Sequence, residues 1–111
     1  MTIVMAGDGA IEEGSFYESI LVAQSLKVPA IFLIENNEWS LATHIDQRRC
    51  PIDLSLLTKS LDIRYVHLEG NDPYHYIDVL KDTRKFSLEK SLPACVEVRV
   101  SRLGDWRLKT P

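Results

Sequence analysis

At 111 residues the chain has room for one domain with a modest core, and 45% hydrophobic and 26% charged content is ordinary for a soluble globular protein. A net charge of −3 excludes the basic footprint of a nucleic-acid binder or of a protein drawn to an anionic membrane surface. No apolar run nears the roughly 20 residues of a membrane span, and no cationic region precedes the apolar N-terminal stretch. Cys50 and Cys95 stand apart, without metal-ligand spacing, so a cytoplasmic chain with two reduced thiols is expected.

The elements alternate from the first residues onward. Thr2–Met5 reads as a short buried strand, and Gly7-Asp8-Gly9-Ala10 follows it as a glycine-rich turn. From Gly14 to Leu26, Phe16, Ile20, Ala23 and Leu26 recur at helical spacing, and Pro29 follows the stop. Pro29–Ile34 is apolar on both faces, as a central parallel strand should be, and runs into Glu35-Asn36-Asn37. Residues 38–51 show no period and read as a loop. Asp53 can cap a helix reaching about Leu61, with Leu54, Leu57 and Leu61 on one face. Arg64–Leu68 reads as a third strand. Gly70-Asn71-Asp72-Pro73 is a turn and helix start, with Asp72 as N-cap and Pro73 in the first helical position. That helix carries Tyr76 or Ile77, Leu80 and Phe86 and ends before Pro93. Ala94–Val100 forms a fourth strand in which Val96, Val98 and Val100 alternate with Glu97 and Arg99. Repeats and low-complexity segments are absent. Strands alternating with helices predict an α/β fold, part of a doubly wound parallel sheet with right-handed crossovers, in a single domain over residues 1–111.

Each of two polar clusters follows an apolar run, and residues 10 to 35 between Gly9 and Asn36 hold one helix and one strand. If the two runs are adjacent parallel strands, Asp8 and Asn37 emerge at one carboxyl edge, where open α/β sheets bind ligands. A carboxylate and an amide, both hard oxygen donors, suit one small cation, and the flanking glycines admit a phosphate close to the backbone. Alone, Asp8 is an ordinary turn or helix-capping aspartate; paired in register with Asn36-Asn37, it becomes a candidate metal ligand.

This pairing resembles the GDG…NN signature of thiamine diphosphate-binding proteins. The run Gly7-Asp8-Gly9-Ala10-Ile11-Glu12-Glu13-Gly14-Ser15-Phe16-Tyr17-Glu18-Ser19 is similar to the one that opens this region in alpha subunits of 2-oxo-acid dehydrogenases, the decarboxylating component of pyruvate, branched-chain and acetoin dehydrogenase complexes. Val28-Pro29-Ala30-Ile31-Phe32-Leu33-Ile34-Glu35-Asn36-Asn37 and Thr43 fit the same family. The likeness is dense over residues 3–43 and rests mainly on element order from 44 to about 101. It implies a magnesium ion held by Asp8, Asn37 and the backbone carbonyl of Trp39, and thiamine diphosphate bound around Gly7, Asp8, Gly9, Ala10, Asn37 and Trp39, with amides of Gly9 and Ala10 on a phosphate. An aromatic residue, commonly Tyr, stands at position 39 in the family, so Trp39 departs moderately.

The implied activity is oxidative decarboxylation of a 2-oxo acid with acyl transfer to a lipoyl carrier. The resemblance places the glutamate that acts on the cofactor in a beta-type subunit, so that chain or a second copy of this one is an expected partner. The family's upstream diphosphate contacts have no counterpart here, and its histidine-rich loop would follow Trp106-Arg107-Leu108. No catalytic residue is therefore assigned. Two alternatives stand beside this reading, a non-catalytic truncated homologue serving as a binding or assembly module and a transketolase-like enzyme fragment.

The remaining polar residues have simpler readings. Glu12 is a first-turn acid favourable to the helix dipole, and Glu13 is that or a contact to a neighbouring subunit. Glu35 is a partly exposed charge, and Thr43 can act as a turn hydroxyl. Arg48 and Arg49 read as a solvated loop pair, with contact to a phosphate or a partner chain as the alternative. His67 and His75 read as strand and helix-surface residues, and His44 is the histidine nearest the candidate site.

Overall fold

The computed structural model describes residues 1–102. In chain order it has β1 (Thr2–Gly7), a 3-10 turn (Ala10–Glu12), α1 (Gly14–Ser25), β2 (Ala30–Asn36), β3 (Trp39–Ser40), β4 (Thr43–His44), α2 (Ile45–Arg48), α3 (Leu54–Ser60), β5 (Arg64–Leu68), α4 (Pro73–Lys90) and β6 (Ala94–Arg99). Four strands form a parallel sheet in the order β1-β2-β6-β5, while β3 and β4 make a short antiparallel hairpin of their own. The chain is thus α/β, with a partial doubly wound sheet.

The apolar runs decide which strands are central. Ala30, Ile31, Phe32 and Ile34 of β2 and Ala94, Cys95, Val96 and Val98 of β6 are all buried, as strands covered on both faces require. On one face Phe16, Ile20 and Ala23 of α1 and Leu54 of α3 pack with Phe32, Ile34 and Cys95. On the other, Tyr76, Val79 and Leu80 of α4 pack over Ile31, Leu68, Val96 and Val98. Helices therefore lie on both sides of the sheet.

Several expectations change. Among the described residues β1 is an edge strand paired on one side, and Ile3 and Met5 are 55% and 65% exposed rather than buried. Leu26 lies beyond the last turn of α1 and is exposed, so its helical spacing overstates the buried face. In α4, Ile77 is exposed, and the fully buried side chains are the small Thr83 and Ser87. Ser87 Oγ donates to the Leu92 carbonyl at 2.7 Å, fastening the helix end before Pro93.

The 38–51 stretch is not a bare loop. It holds the β3–β4 hairpin and the single turn of α2, elements too short to show a period. His44 caps α2. Its Nδ1 accepts from the Asp46 amide at 3.4 Å, and Gln47 Oε1 accepts from the His44 amide at 3.2 Å. Trp106, Arg107 and Leu108 lie outside the described residues.

Candidate functional site

Register brings the two polar clusters to one edge. β1 runs beside β2 from Thr2 opposite Ala30 to Gly7 opposite Glu35, and the Asp8 amide extends the ladder by donating to the Glu35 carbonyl at 3.2 Å. Asp8 and Asn36-Asn37 therefore leave adjacent strands at the same carboxyl end.

Asp8 is 1% exposed, and a carboxylate so deep needs a counter-charge. Arg48 supplies it: Nη2 donates to Asp8 Oδ2, while Nη1 donates to Glu12 Oε1. Arg49 Nε reaches the same Glu12 oxygen at 3.1 Å. Arg48 Nε is buried and has no acceptor among the described residues. Gly9 lies beneath this cluster. A Cβ there would sit 2.7 Å from Ser40 Oγ, 2.9 Å from Ser40 Cβ and 3.2 Å from Arg48 Nη1, so only glycine lets the segment close over the turn. At Gly7 a Cβ would meet nothing nearer than the Glu35 carbonyl at 4.0 Å. Ala10 opens the 3-10 turn, in which the Gly9 carbonyl accepts from the Glu12 amide at 3.2 Å.

The asparagine turn is built differently. Asn36 Nδ2 donates to Glu97 Oε1 at 2.8 Å, and the Tyr65 hydroxyl donates to Glu97 Oε2 at 2.6 Å. Burial, reinforced by the Glu97 charge, pushes the Tyr65 hydroxyl well above the usual phenol range, so it stays a donor. Two Asx turns follow: Asn36 Oδ1 accepts from the Glu38 amide at 3.1 Å and Asn37 Oδ1 from the Trp39 amide at 2.9 Å. Trp39 then lies edge-on to His44, with ring centroids 5.0 Å apart, and the Arg102 guanidinium stands 5.1 Å from the Trp39 ring centroid. Asn37 and Trp39 line a cleft of about 510 Å³ with Glu69, Asn71, Arg99 and Arg102. Arg99 is held by Glu38 at 2.9 Å.

Asp8, Asn37, Trp39, Gly9 and Ala10 thus share one edge of the sheet. Two sequence readings are corrected. Arg48 and Arg49 are not solvated, for both side chains are only 10% exposed, and Glu12 is their ion-pair partner rather than a mere dipole acid. His67 meets Glu69 at 3.5 Å, and His75 is exposed on α4. Glu35 is exposed, as is Thr43. Glu97 and Tyr65 are the site residues that sequence reasoning missed, and for Arg48 it missed the carboxylate partners. The alternation in β6 sets Glu97 apart from its valines, which was the one available signal.

Among the described residues no cluster of three or more His, Cys, Asp or Glu could hold a metal. A cation here must use one carboxylate with amide and carbonyl oxygens, the donor set magnesium accepts when waters or phosphates complete its shell. The chemistry of Asp8, Asn37 and the Trp39 carbonyl fits that ion, while the space over Gly9 is taken by Ser40 and Arg48. Asp8 itself is engaged by Arg48.

A parallel sheet with helices on both faces and two polar turns at its carboxyl edge defines an open α/β domain, a class that takes its ligands at that edge. The family model described as the dehydrogenase E1 component matches residues 1–106, and the chain belongs to that family. It is 25% identical over 93% of its length to 2-oxoisovalerate dehydrogenase subunit alpha 1, mitochondrial, of Arabidopsis thaliana, covering 22% of that protein. It is 30% identical over 95% of its length to the pyruvate dehydrogenase E1 component subunit alpha of Rickettsia bellii, covering 32%. A third relative, from Arabidopsis thaliana, is named only provisionally, as a 2-dehydropantoate 2-reductase; it is 24% identical over 92% of the chain, which covers 28% of it. The chain spans between about a fifth and a third of the length of these relatives. The family match favours the E1 reading over a transketolase-like one.

Proposed function

We propose that this chain supplies the magnesium- and diphosphate-binding portion of an alpha-type subunit of a 2-oxo-acid dehydrogenase. One observation carries the reading: parallel register puts the carboxylate-bearing turn of Asp8 and the amide-bearing turn of Asn37 at the same end of adjacent strands. In this reading the Asp8 carboxylate, the Asn37 amide oxygen and the Trp39 carbonyl hold magnesium. Amides of Gly9 and Ala10 donate to a phosphate, and the small Gly7 and Gly9 let it approach. When bound, thiamine diphosphate supplies the electron sink for loss of carbon dioxide from a 2-oxo acid. This chain's part is to bind and orient, and no residue of it is assigned a proton transfer. Turnover, with acyl transfer to a lipoyl carrier, needs a beta-type subunit or a further copy of this chain. A cytoplasmic location belongs to the same proposal.

Calorimetry of the full chain with thiamine diphosphate and magnesium tests this reading. Saturable binding that disappears in Asp8→Ala and Asn37→Ala is expected. No heat, together with a specific complex to another protein, would replace it with a non-catalytic assembly role. The engagement of Asp8 by Arg48 is the observation that favours that second reading.

A further inference from the structure

The Asp8 carboxylate is buried, and its counter-charge comes from outside the signature turn, from a residue 40 positions along the chain. Arg48 bridges Asp8 and Glu12 with its two terminal nitrogens, and Arg49 joins it on Glu12. A guanidinium and a divalent ion cannot share one carboxylate without strong like-charge repulsion at this burial. We infer that Arg48 is the resident counter-cation of Asp8 and competes with the divalent ion for it, so that residues 43–49, the Arg48 end of the 39–49 segment, must withdraw from the turn for the ion to bind. This inference rests on the reading of Asp8 as a metal ligand.

The fastening is built to be released. No residue from Trp39 to Arg49 is fully buried, so the segment is held to the sheet by polar contacts and not by core packing. Among the described residues Arg48 Nε has no acceptor in the closed arrangement, a donor that solvent would satisfy on opening. Ser40 and Arg48 also fill the space over Gly9, which a phosphate would need. Closure therefore covers the cation and the anion positions together. The apparent affinity of the free chain for a divalent ion falls by the fraction of molecules that are closed.

The test is titration with Mn2+ alone, followed by electron paramagnetic resonance, on the full chain and on Arg48→Gln. Arg48→Gln is expected to bind Mn2+ about tenfold tighter or more, the effect of removing one close charge. The gain is expected to vanish in Asp8→Asn/Arg48→Gln. Equal Mn2+ affinity with and without Arg48 overturns the competition and leaves the metal reading standing. A gain that survives Asp8→Asn overturns it too, because the ion then sits elsewhere. No Mn2+ bound by either form, even with thiamine diphosphate present, overturns both the competition and the proposed function. Hydrogen exchange on the unsubstituted chain covers a variant that fails to fold. Amides of residues 43–49 are expected to exchange faster at saturating Mg2+, and unchanged or slower exchange there overturns the inference.

Discussion

The turn after β1 and the turn after β2 leave the same edge of the sheet, yet they are secured by opposite means. Asp8 is held by ion pairs from a short segment with no fully buried residue between Trp39 and Arg49. Asn36 is held by Glu97 of β6, which Tyr65 of β5 holds in turn, so both partners lie within the sheet itself. The first arrangement can be exchanged for another cation, because its partner sits on a detachable piece. The second cannot change without disturbing the sheet. One side of the site is therefore adjustable and the other a fixed reference.

Substitutions can break or sharpen this contrast. The largest effect is expected for Asp8→Ala, which leaves the largely buried Arg48 with Glu12 as its remaining carboxylate partner. A loss of about 3 kcal/mol in urea unfolding is expected, at the lower end for broken buried pairs. Asp8→Ala/Arg48→Ala should recover part of it, and no recovery would mean the two residues are not coupled. Gly9→Ala comes next, since its Cβ would press on Ser40 and Arg48. A loss of about 1–2 kcal/mol is expected, as for modest overpacking, with faster hydrogen exchange in residues 39–49 and not in β6. Tyr65→Phe removes one hydrogen bond to Glu97, and about 1 kcal/mol is expected, with exchange in residues 39–49 unchanged. A change there of the size seen for Gly9→Ala would erase the distinction between the turns.

The smallest effect concerns the thiols. Burial, with a contribution from the Glu97 charge, pushes the Cys95 thiol from 9.0 up to about 12, while Cys50 is exposed. At pH 8 a thiol reagent should modify Cys50 promptly and Cys95 only on unfolding. The folded chain keeps the Cys95 proton above the pH at which the unfolded chain loses it. That contribution to stability is thus complete below about pH 9 and declines as pH rises toward 12. Equal reactivity of the two thiols in the folded chain would contradict the buried β6.

The fold was readable wherever an apolar run sets its own burial. Ala30–Ile34 is apolar on both faces and proved central, and the strand of alternating valines, Glu97 and Arg99 proved central beside it. The emergence of Asp8 and Asn37 at one carboxyl edge was readable because each follows such a run. The exposure of Ile3 and Met5 was not, because composition records a strand's affinity for burial but not which neighbours cover it. Arg48 was hidden for another reason. Its partner lies 40 positions away, and the segment carrying it is too short and too polar to show a period. Glu97 could be seen to alternate with valines, but not that Asn36 and Tyr65 would converge on it from the strands on either side.

The central claim is that one divalent ion sits between the Asp8 and Asn37 turns. Paramagnetic broadening in NMR spectra tests it most directly, with Mn2+ and thiamine diphosphate added to the full chain. The amides of Gly7, Asp8 and Gly9 and the side-chain amide of Asn37 should broaden together, while Thr2 and Ala30 at the opposite ends of the same strands stay sharp. Broadening centred on the acidic residues of α4, Asp78 and Asp82, with the Gly7–Gly9 signals untouched, would contradict it.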